Sequence, residues 1–485
     1  MPDSDIAAAL SATLPPDCVL SRPEERRPYE CDALTAFREL PAVVVLPRTE
    51  EEVRRVLLTC SRLQVPLVAR GSGTGLSGGA TPHPQGVLLS CARMNRVLGI
   101  DPQNRCARLQ PGVPNLRISE AAAPYGLYYA PDPSSQVACS IGGNVAENSG
   151  GVHCLKYGLT VHNVQGVRGF TVDGELIELG GGAAADVPGL DLLALTIGSE
   201  GLLMIVTEVI VKLIPRPPCA QLVVASFPTL HSAADAVAAI IAAGIIPAAL
   251  EMMDRKATVA VEPFVHAGYD LSAAAILMVE SDGTRAEVEE QIGEIQSVLR
   301  GCGASALRVA ASEAERLLLW SGRKNAFPAA GRLSPDYYCM DGTIPRKHVG
   351  RVLEAIGEME KRYGLPCFNV FHAGDGNLHP VIMFDSNQPG EWERADRFGA
   401  EILELCIKVG GTITGEHGVG LEKIGGMCVQ FSPAERAAFA AVKAAFDPAG
   451  LLNPGKLIPT LARCAEYGKM HVRGGELAHA ELPRF

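Results

Sequence analysis

The chain has 485 residues, of which 47% are hydrophobic and 20% charged, and this composition excludes an intrinsically disordered protein. Its net charge of −11 argues against a nucleic-acid-binding protein, because such proteins present a basic surface. Fourteen cysteines occur without a single C-x-x-C pair, so neither a zinc ribbon nor an iron–sulfur cluster is indicated. We expect reduced thiols in a cytoplasmic protein.

No segment of the sequence is typical of a membrane span. The N-terminal residues are acidic where a signal peptide would be basic. The longest apolar stretch, residues 236–250, is 15 residues long and is interrupted by Gly244 and Pro247. A membrane-spanning helix needs about 20 residues, so we predict no direct membrane insertion.

The first half of the chain predicts one helix and several short strands. Apolar residues recur at helical spacing after Thr49, a residue type that caps helices, and the apolar residues 65–70 predict the strand that follows. Asp173 and Gly174 lie between alternating apolar residues and predict a hairpin. Further strands are predicted at 86–92, 106–112 and 202–215.

A Pro-rich piece at 216–220 marks the predicted domain boundary. After it the sequence predicts two passes of strand, helix and strand, which indicate a second α+β domain with a sheet covered by helices. The predicted elements are strands at 222–227, near Leu250 and at 273–280, with helices at 232–244 and 286–300, and a last helix near 433–446.

Residues 71–79, GSGTGLSGG, follow a predicted strand directly. Glycines let successive backbone N–H groups turn toward one anion, although a surface turn without a ligand has the same composition. The loop is neither a Rossmann fingerprint, since no clear helix follows, nor a P-loop, since it lacks the G-K-[ST] ending. A second cluster rich in Gly, Ser and Asn lies at 131–151, and two such loops can grip both sides of a long diphosphate ligand.

Four motifs in this region occur in order: PAVVVLPRTEEEV, VPLVARGSGTGLSGG, PDP…IGGN…NSGG and IGSEG. Together they resemble the FAD-binding domain of the p-cresol methylhydroxylase and vanillyl-alcohol oxidase family. The resemblance implies an α+β fold: a two-part FAD-binding domain, then an α+β substrate (cap) domain, then a segment that returns to the FAD-binding domain. The predicted boundaries are an N-terminal segment 1–38, an FAD-binding domain 39–218, a cap domain 219–410 and a C-terminal segment 411–485.

The same resemblance implies which residues bind FAD. The first loop would hold the pyrophosphate, and the 131–151 loops would flank the isoalloxazine and the ribityl chain. Thr74 stands where many relatives carry the His that attaches the flavin, so the implied FAD is non-covalent. The implied cofactor-binding residues are Gly71, Ser72, Gly73, Thr74, Gly75, Leu76, Ser77, Pro131, Asp132, Ser140, Gly142, Gly143, Asn148, Gly150, Gly151, Glu200, Gly201, Ile205 and Asn453.

Two histidine motifs lie in the second half. The run FHAGDGNLHP places His372 and His379 seven residues apart, and GEHG contains Glu416 and His417. A single His is usually an ordinary polar residue, but two imidazoles and a carboxylate suit a divalent ion with a position open for substrate. The metal's identity stays open among Zn, Mn and Fe. The spacing differs from H-E-x-x-H, so a metallopeptidase is a poor match.

With LLNPGKL at 451–457, these motifs resemble the C-terminal domain of FAD-linked 2-hydroxyacid dehydrogenases, which act on D-lactate, D-2-hydroxyglutarate or glycolate. Residues 320–345 and 463–472 narrow the resemblance to the FAD-containing catalytic subunits of bacterial glycolate oxidases. By the family pattern, Arg323 binds the substrate carboxylate and His417 is the catalytic base. The implied metal ligands are His372, His379 and Glu416.

The resemblance implies oxidation of glycolate or another short 2-hydroxy acid, with hydride transfer from C2 to flavin N5. Relatives that take a dicarboxylate carry a Lys and an Asn where this chain has Cys339 and Val381, which favours a small monocarboxylate. The alternatives are a D-lactate dehydrogenase of the same fold, a non-catalytic flavin electron-relay subunit, and a metal-dependent hydrolase whose glycine loops are ordinary turns.

The chain contains no motif for a second redox centre. The resemblance therefore implies companion chains, a second FAD-binding subunit and an iron–sulfur subunit, that pass electrons to a quinone-type acceptor. Such partners would hold this cytoplasmic protein at the inner face of the membrane.

Overall fold

The structure, a computed structural model, describes residues 2–181 and 189–460 together with the backbone of 472–473 and 476–477. Most of the 463–472 motif lies outside the described residues. The α-helices are α1 (Asp3–Ser11), α2 (Pro23–Arg26), α3 (Glu50–Leu63), α4 (Asn115–Ala122), α5 (Ile141–Glu147), α6 (Cys154–Tyr157), α7 (Thr160–Asn163), α8 (Leu192–Thr196), α9 (Leu230–Ala242), α10 (Arg255–Val265), α11 (Arg285–Gly301), α12 (Glu313–Lys324), α13 (Ala326–Leu333), α14 (Val349–Tyr363), α15 (Glu391–Lys408), α16 (Ile424–Gln430) and α17 (Pro433–Phe446).

The strands alternate with these helices, so the predicted α+β class is confirmed. They are β1 (Val19–Leu20), β2 (Val43–Val45), β3 (Leu67–Arg70), β4 (Val87–Ser90), β5 (Val97–Asp101), β6 (Cys106–Leu109), β7 (Leu127–Tyr128), β8 (Val164–Phe170), β9 (Leu176–Gly180), β10 (Ile205–Lys212), β11 (Ile214–Pro215), β12 (Cys219–Phe227), β13 (Ala249–Asp254), β14 (Ala275–Gly283), β15 (Ala306–Val309), β16 (Asp336–Cys339), β17 (Cys367–Phe371), β18 (Pro380–Phe384), β19 (Val472–Arg473) and β20 (Glu476–Leu477).

The chain divides into two compact units. Unit 1 contains residues 1–150, 159–215 and those from Glu416 onward, and unit 2 contains 151–158 and 216–415. The predicted boundaries stood at 218/219 and 410/411, a few residues away. Residues 151–158 lie in unit 2, whereas the sequence pattern grouped them with the FAD-binding domain.

Hydrogen bonds to Asp282 explain why residues 151–158 belong to unit 2. The Lys156 ammonium donates to the backbone O of Asp282 at 2.8 Å and is also paired with its carboxylate, and the Tyr157 hydroxyl donates to Oδ2 of Asp282 at 2.7 Å. Asp282 lies on β14 of unit 2. These side-chain contacts between distant parts of the chain carry no local sequence signal.

The first sheet of unit 1 has the strand order β1-β2-β4-β3, with β2, β4 and β3 parallel. Helix α3 begins after Thr49, whose Oγ1 accepts a hydrogen bond from the N–H of Glu52 at 3.2 Å. Its buried face, which includes Val53, Val56 and Leu57, packs in the same hydrophobic cluster as β2 and β3. The glycine loop 71–79 starts where β3 ends.

The second sheet of unit 1 is antiparallel, with the order β5-β6-β10-β8-β9. The predicted hairpin is confirmed: β8 and β9 pair from Phe170 opposite Leu176, and Gly174 takes a positive φ of 72° in the connecting turn. No helix among the described residues is both long and apolar enough to cross a membrane.

Unit 2 is built on a seven-stranded antiparallel sheet with the order β15-β12-β14-β13-β17-β18-β16. The two predicted strand–helix–strand passes form as β12-α9-β13 and β14-α11-β15. Two registers place the candidate site: Met252 on β13 pairs with Phe371 on β17, and Asn369 on β17 pairs with Pro380 on β18. The residues that immediately follow β17 and precede β18 therefore meet at one end of the sheet.

Candidate functional site

The two predicted metal histidines flank a hairpin in unit 2. His372 directly follows β17 and His379 directly precedes β18. The N–H of His372 donates to the O of Asn377 at 3.1 Å, and Gly376 takes a φ of 74° that allows the tight turn. The two imidazole rings stand edge to face with centroids 5.1 Å apart, and both side chains are buried. The structure thus brings both imidazoles together.

Glu251 lies beside this pair and was not predicted from sequence. It precedes Met252 on β13, so the β13/β17 register sets it across from His372. Its Oε1 lies 2.7 Å from Nδ1 of His372, and its side chain is 1% exposed. A carboxylate only accepts hydrogen bonds, so this contact assigns the ring proton to Nδ1 and the lone pair to Nε2. The only sequence signal was an acidic residue inside an apolar strand.

Arg323, the predicted substrate arginine, binds the other oxygen of the same carboxylate. It lies in the last turn of α12, and its Nε donates to Oε2 of Glu251 at 2.6 Å. The Arg323 side chain is 1% exposed, and its Nη2 has no hydrogen-bond partner among the residues that the structure describes. A buried guanidinium nitrogen without an acceptor is costly, which makes this nitrogen a candidate anion contact.

Asp341 is a second acidic residue near the histidine pair that the sequence analysis missed. Its Oδ1 lies 3.5 Å from Nε2 of His379. Its Oδ2 accepts hydrogen bonds from Oγ1 of Thr414 at 2.6 Å and from the N–H of Gly415 at 3.0 Å. Asp341 therefore orders the residues that directly precede Glu416 in the chain.

The two positions where this chain departs from its dicarboxylate-using relatives are neighbours. Cys339 on β16 and Val381 on β18 are cross-strand partners, and both are buried. Val381 lies two residues after His379, at the start of β18. The sheet therefore offers no charged group at this pair of positions.

In unit 1, the glycine loop contacts the second predicted loop. A Cβ on Gly71 would lie only 2.2 Å from Oγ of Ser140, so glycine is required for this approach. Ser140 caps helix α5 by accepting a hydrogen bond from the N–H of Gly143 at 3.4 Å. Gly142 packs on Pro111, where a Cβ would lie 2.6 Å from the Pro111 Cβ. The structure thus brings two of the predicted FAD-binding segments together.

Asn115, which sequence reasoning missed, links the 131–133 segment to α5. Its Nδ2 donates to the O of Pro131 at 3.1 Å and to Oδ1 of Asn144 at 3.0 Å. At the other end of α5, Asn148 adopts the left-handed conformation at φ 53°, and its Oδ1 accepts from the N–H of Val161 at 2.9 Å. These side chains fix the loops that the resemblance assigns to the flavin.

Glu200 holds the returning C-terminal segment. Its carboxylate accepts hydrogen bonds from the N–H groups of Val419 at 2.6 Å and of Gly420 at 2.7 Å. Burial raises the pKa of Glu200, although both N–H groups oppose that shift. Glu147 lies close by, since a Cβ on Gly418 would meet a carboxylate oxygen of each glutamate. Burial and the neighbouring Glu200 raise the pKa of Glu147 well above its ordinary value.

Asn453 ties this segment to the glycine loop. Its Nδ2 donates to the O of Glu200 at 2.6 Å and to the O of Gly79 at 3.2 Å. Lys456, another residue that the sequence analysis missed, donates to the same O of Gly79 at 2.7 Å and to Oδ1 of Asn453 at 2.7 Å. Ser77 accepts from the N–H of Leu421 at 2.9 Å through its backbone oxygen.

Glu416 and His417 begin the returning segment of unit 1. A Cβ on Gly150 would lie 2.5 Å from Oε2 of Glu416, so this pair of predicted residues comes together. The Lys423 ammonium donates to the O of Gly418 at 2.8 Å, directly after His417. Hydrogen bonds between buried charged side chains and backbone groups therefore hold the chain on the C-terminal side of His417, the predicted base.

The remaining predicted site residues differ in their environment and in the unit to which they belong. Ile205 lies at the start of β10 and packs in the hydrophobic core of unit 1. Gly151 belongs to unit 2, as do Arg323, His372 and His379, whereas Glu416 and His417 belong to unit 1. The other residues assigned to FAD all lie in unit 1: Ser72, Gly73, Thr74, Gly75, Leu76, Asp132 and Gly201, with those named above.

Comparison with known proteins identifies both parts of the chain. The family described as FAD binding domain matches residues 41–180, and FAD linked oxidases, C-terminal domain, matches 216–457. The structure of p-cresol methylhydroxylase with substrate bound superposes with a TM-score of 0.79 at 17% identity, covering 93% of this chain and 96% of that chain. At this identity the likeness shows the fold alone, and it confirms the predicted architecture.

Curated relatives are similar over most of the chain. Glycolate oxidase subunit GlcD of Escherichia coli (strain K12) is 57% identical, covering 100% of this chain and 98% of the relative. The same subunit of Bacillus subtilis (strain 168) is 41% identical, covering 90% and 93%. A mitochondrial D-lactate dehydrogenase [cytochrome] of Arabidopsis thaliana is 31% identical, covering 87% and 74%. The chain therefore belongs to the FAD-linked oxidases, a family of oxidoreductases, and its cofactor is FAD.

Proposed function

We propose that this chain oxidises glycolate to glyoxylate, with other short 2-hydroxy acids as further substrates. One observation carries the proposal: the buried Arg323 guanidinium, held by Glu251 beside His372, keeps Nη2 without a hydrogen-bond partner among the described residues. A buried cation of this kind favours an anionic ligand. A 2-hydroxy acid supplies a carboxylate for it, with the reacting C2 one bond away.

Arg323 orients the substrate in this proposal. Its Nε is committed to Glu251, and Nη2, which has no hydrogen-bond partner among the described residues, is available to the substrate carboxylate. A fixed carboxylate restricts the position of C2 and its hydroxyl, which lowers the entropic part of the barrier. When bound, FAD would supply a two-electron acceptor for the hydride of C2.

His372 and His379 are proposed as ligands of a divalent metal, with Glu416 as the third ligand that the family motif implies. The donor set fits: Glu251 accepts a hydrogen bond from Nδ1–H of His372, and a second buried imidazole lies beside it. Zn, Mn and Fe all accept two imidazoles and one carboxylate. Such an ion would supply Lewis acidity at the substrate hydroxyl.

His417 is the proposed general base that accepts the hydroxyl proton. It lies between Glu416 and Gly418, and the residues that follow it are fixed by Glu200 and Lys423. A base held by a rigid loop keeps its distance to the reacting proton. Neutral imidazole is the form that accepts this proton.

Two observations favour glycolate over larger acids. The buried pair of Cys339 and Val381 adds no polar group that would bind a second carboxylate. The relatives at 57% and 41% identity are glycolate oxidase subunits, and the D-lactate dehydrogenase is 31% identical. D-lactate, which carries one more methyl group, is the second candidate substrate.

We further propose that electrons leave this chain through partner chains. The word subunit in the names of the relatives supports a complex. The proposed partners are a second FAD-binding subunit and an iron–sulfur subunit, with a quinone-type acceptor beyond them. In this arrangement the chain is cytoplasmic and lies at the inner face of the membrane through its partners.

The test is anaerobic mixing of the purified FAD-loaded chain with glycolate or D-lactate while the flavin absorbance is recorded. We expect glycolate to bleach the flavin faster than D-lactate. Faster bleaching by D-lactate would show that D-lactate, and not glycolate, is the preferred substrate. No bleaching by either acid would favour the electron-relay alternative.

The same experiment tests the base. We expect His417→Ala to lower the rate of flavin reduction by about 10²- to 10⁴-fold, because proton acceptance contributes that much to many enzymes. Its FAD content and metal content should match those of the unmodified chain. Loss of metal from His417→Ala would show that this residue is a ligand and that the assignment of base and ligands is wrong.

A further inference from the structure

We infer that Glu251 is a positioning residue that holds the metal ligand His372 and the substrate arginine Arg323 with one carboxylate. The inference rests on the proposed function and adds a residue to it. Glu251 touches neither substrate nor cofactor in this proposal. It acts through the two side chains that do.

The geometry calls for a carboxylate at this position. Oε1 lies 2.7 Å from Nδ1 of His372, and Oε2 lies 2.6 Å from Nε of Arg323. Both partners are donors, and only a carboxylate offers two acceptor oxygens without a competing proton. All three side chains are buried, so water does not replace a lost contact.

The contact with His372 fixes which ring nitrogen can bind a metal. With the proton on Nδ1, the lone pair stays on Nε2, and the ring plane is held by the hydrogen bond. Removal of the acceptor frees both the proton position and the ring orientation. Metal affinity then falls even though both histidines remain.

The contact with Arg323 fixes the plane of the guanidinium. Nε and Nη2 belong to one rigid planar group, so a hydrogen bond at Nε determines where Nη2 points. Glu251 also balances the Arg323 charge when no substrate is bound. A single side chain on β13 therefore aligns two groups that lie 72 and 121 residues further along the chain.

Glu251→Gln is the sharpest variant, because glutamine has the same shape but one acceptor oxygen and one donor nitrogen. The glutamine oxygen can accept a hydrogen bond from His372 or from Arg323. The amide nitrogen then faces the N–H group of the other residue, and two donors cannot form a hydrogen bond. Glu251→Asp keeps two acceptor oxygens on a shorter side chain. A hydrogen-bonding role predicts that Asp is closer to the unmodified chain than Gln, whereas a packing role predicts the reverse order.

Glu280 provides a matched control. It lies on the neighbouring strand β14, is also buried, and also binds one His and one Arg: its Oε1 lies 3.3 Å from Nε2 of His153, and its Oε2 accepts from Nη1 of Arg316 at 2.7 Å. Glu280→Gln disturbs a similar network in the same sheet. Among the described residues, the side-chain partners of Glu280 are His153, Arg316 and Trp320, and not His372 or Arg323.

Two affinities are measured on metal-free, FAD-loaded full-length protein: Zn²⁺ by calorimetry, and oxalate by its effect on the flavin spectrum. His379→Ala shows the result expected for complete loss of Zn²⁺ affinity, and Arg323→Met shows the result expected for complete loss of oxalate affinity. We expect Glu251→Gln to raise both dissociation constants by at least about tenfold, within the range seen when a residue that supports a metal ligand is changed. Glu251→Asp should lie between, and Glu280→Gln within about twofold of the unmodified chain.

Several results would overturn the inference. They are unchanged affinities in Glu251→Gln, a change in only one of the two, or an Asp variant weaker than the Gln variant. If Glu251→Gln does not retain FAD, Glu251→Asp decides alone: its side chain is shorter by one methylene and lengthens both hydrogen bonds, so affinities equal to those of the unmodified chain would contradict the role. Absence of binding of Zn²⁺, Mn²⁺ and Fe²⁺ alike in the unmodified chain would refute the proposed metal ligands themselves, and so also the inference, before any variant is compared.

Discussion

The two units build their candidate binding surfaces from different chemical groups. In unit 1 the glycine loop approaches Ser140 closely because Gly71 has no Cβ. In unit 2 the surface consists of charged and titratable side chains, Glu251, Arg323 and His372, that project from strands and from a helix end.

The forces that hold each surface differ in the same way. In unit 1, buried polar side chains such as Glu200, Asn453 and Lys456 bond to backbone groups and fix the loops. In unit 2, strand register fixes the side chains, which then bond to one another. Unit 1 should therefore be sensitive to added atoms, and unit 2 to lost charges.

The largest expected effect is the loss of a charge in unit 2. We expect Arg323→Met to lower kcat/KM for glycolate by at least about 100-fold, because the substrate loses its oriented anion contact. FAD content should not change, since Arg323 lies in unit 2. Steady-state kinetics together with flavin quantification measure both.

Arg316→Met is the control for this change. Arg316 lies on the same helix α12 and pairs with buried Glu280, so its removal costs unit 2 a similar ion pair. We expect kcat/KM to stay within about tenfold of the unmodified value, as expected for a site left intact. Equal losses in the two variants would mean that Arg323 acts through stability alone.

The next effect is an added atom in unit 1. We expect Gly71→Ala to raise the dissociation constant of FAD about tenfold, because its Cβ would lie 2.2 Å from Oγ of Ser140 and force the two loops apart. Gly99→Ala is the control, since a Cβ there meets no atom within 4 Å. Fluorescence titration of the apoprotein with FAD measures the affinities.

A second substitution sharpens this prediction. Ser140→Ala removes the colliding oxygen, and we expect the Gly71→Ala/Ser140→Ala double variant to recover most of the FAD affinity. If the double variant binds FAD as weakly as Gly71→Ala does, the contact with Oγ of Ser140 is not the cause of the lost affinity.

The smallest expected effect is an opposite response of the two units to acid. In unit 1, burial raises the pKa of Asp32 to about 6. The folded form then binds a proton that the unfolded form does not, so unit 1 gains stability as the pH falls from about 6 toward 4. In unit 2, burial alone would raise the pKa of Glu280, but His153, Arg316 and Trp320 outweigh it and lower the pKa to about 2.

The contribution of Glu280 is therefore present above its ordinary pKa and is lost as the pH falls toward 2. Both Trp residues of the chain, Trp320 and Trp392, lie in unit 2, so their fluorescence follows its unfolding by urea, while flavin release follows unit 1. Asp32→Asn should flatten the response of unit 1 between pH 4 and 6, and Glu280→Gln that of unit 2 below pH 4.5. The same pH response in both units would contradict the assignment.

Local patterns predicted much of the fold. The helix after Thr49, the hairpin at Gly174 and the strand–helix–strand passes of unit 2 all formed where periodicity and turn residues indicated. The family match also excludes the hydrolase alternative, because it identifies a flavin-dependent oxidoreductase. The helix, the hairpin and the strand–helix–strand passes depend on residues that are close together in sequence, which is why sequence patterns predict them.

The residues that carry the chemistry can be read from the sequence: the glycine loops, His372 and His379 in one motif, and Arg323. That Glu251 joins two of these groups follows only from the fold. Its partners lie 72 and 121 residues away, and the pairing of β13 with β17 brings them within hydrogen-bond distance. Strand register is set by packing across the whole sheet, so no local pattern contains it.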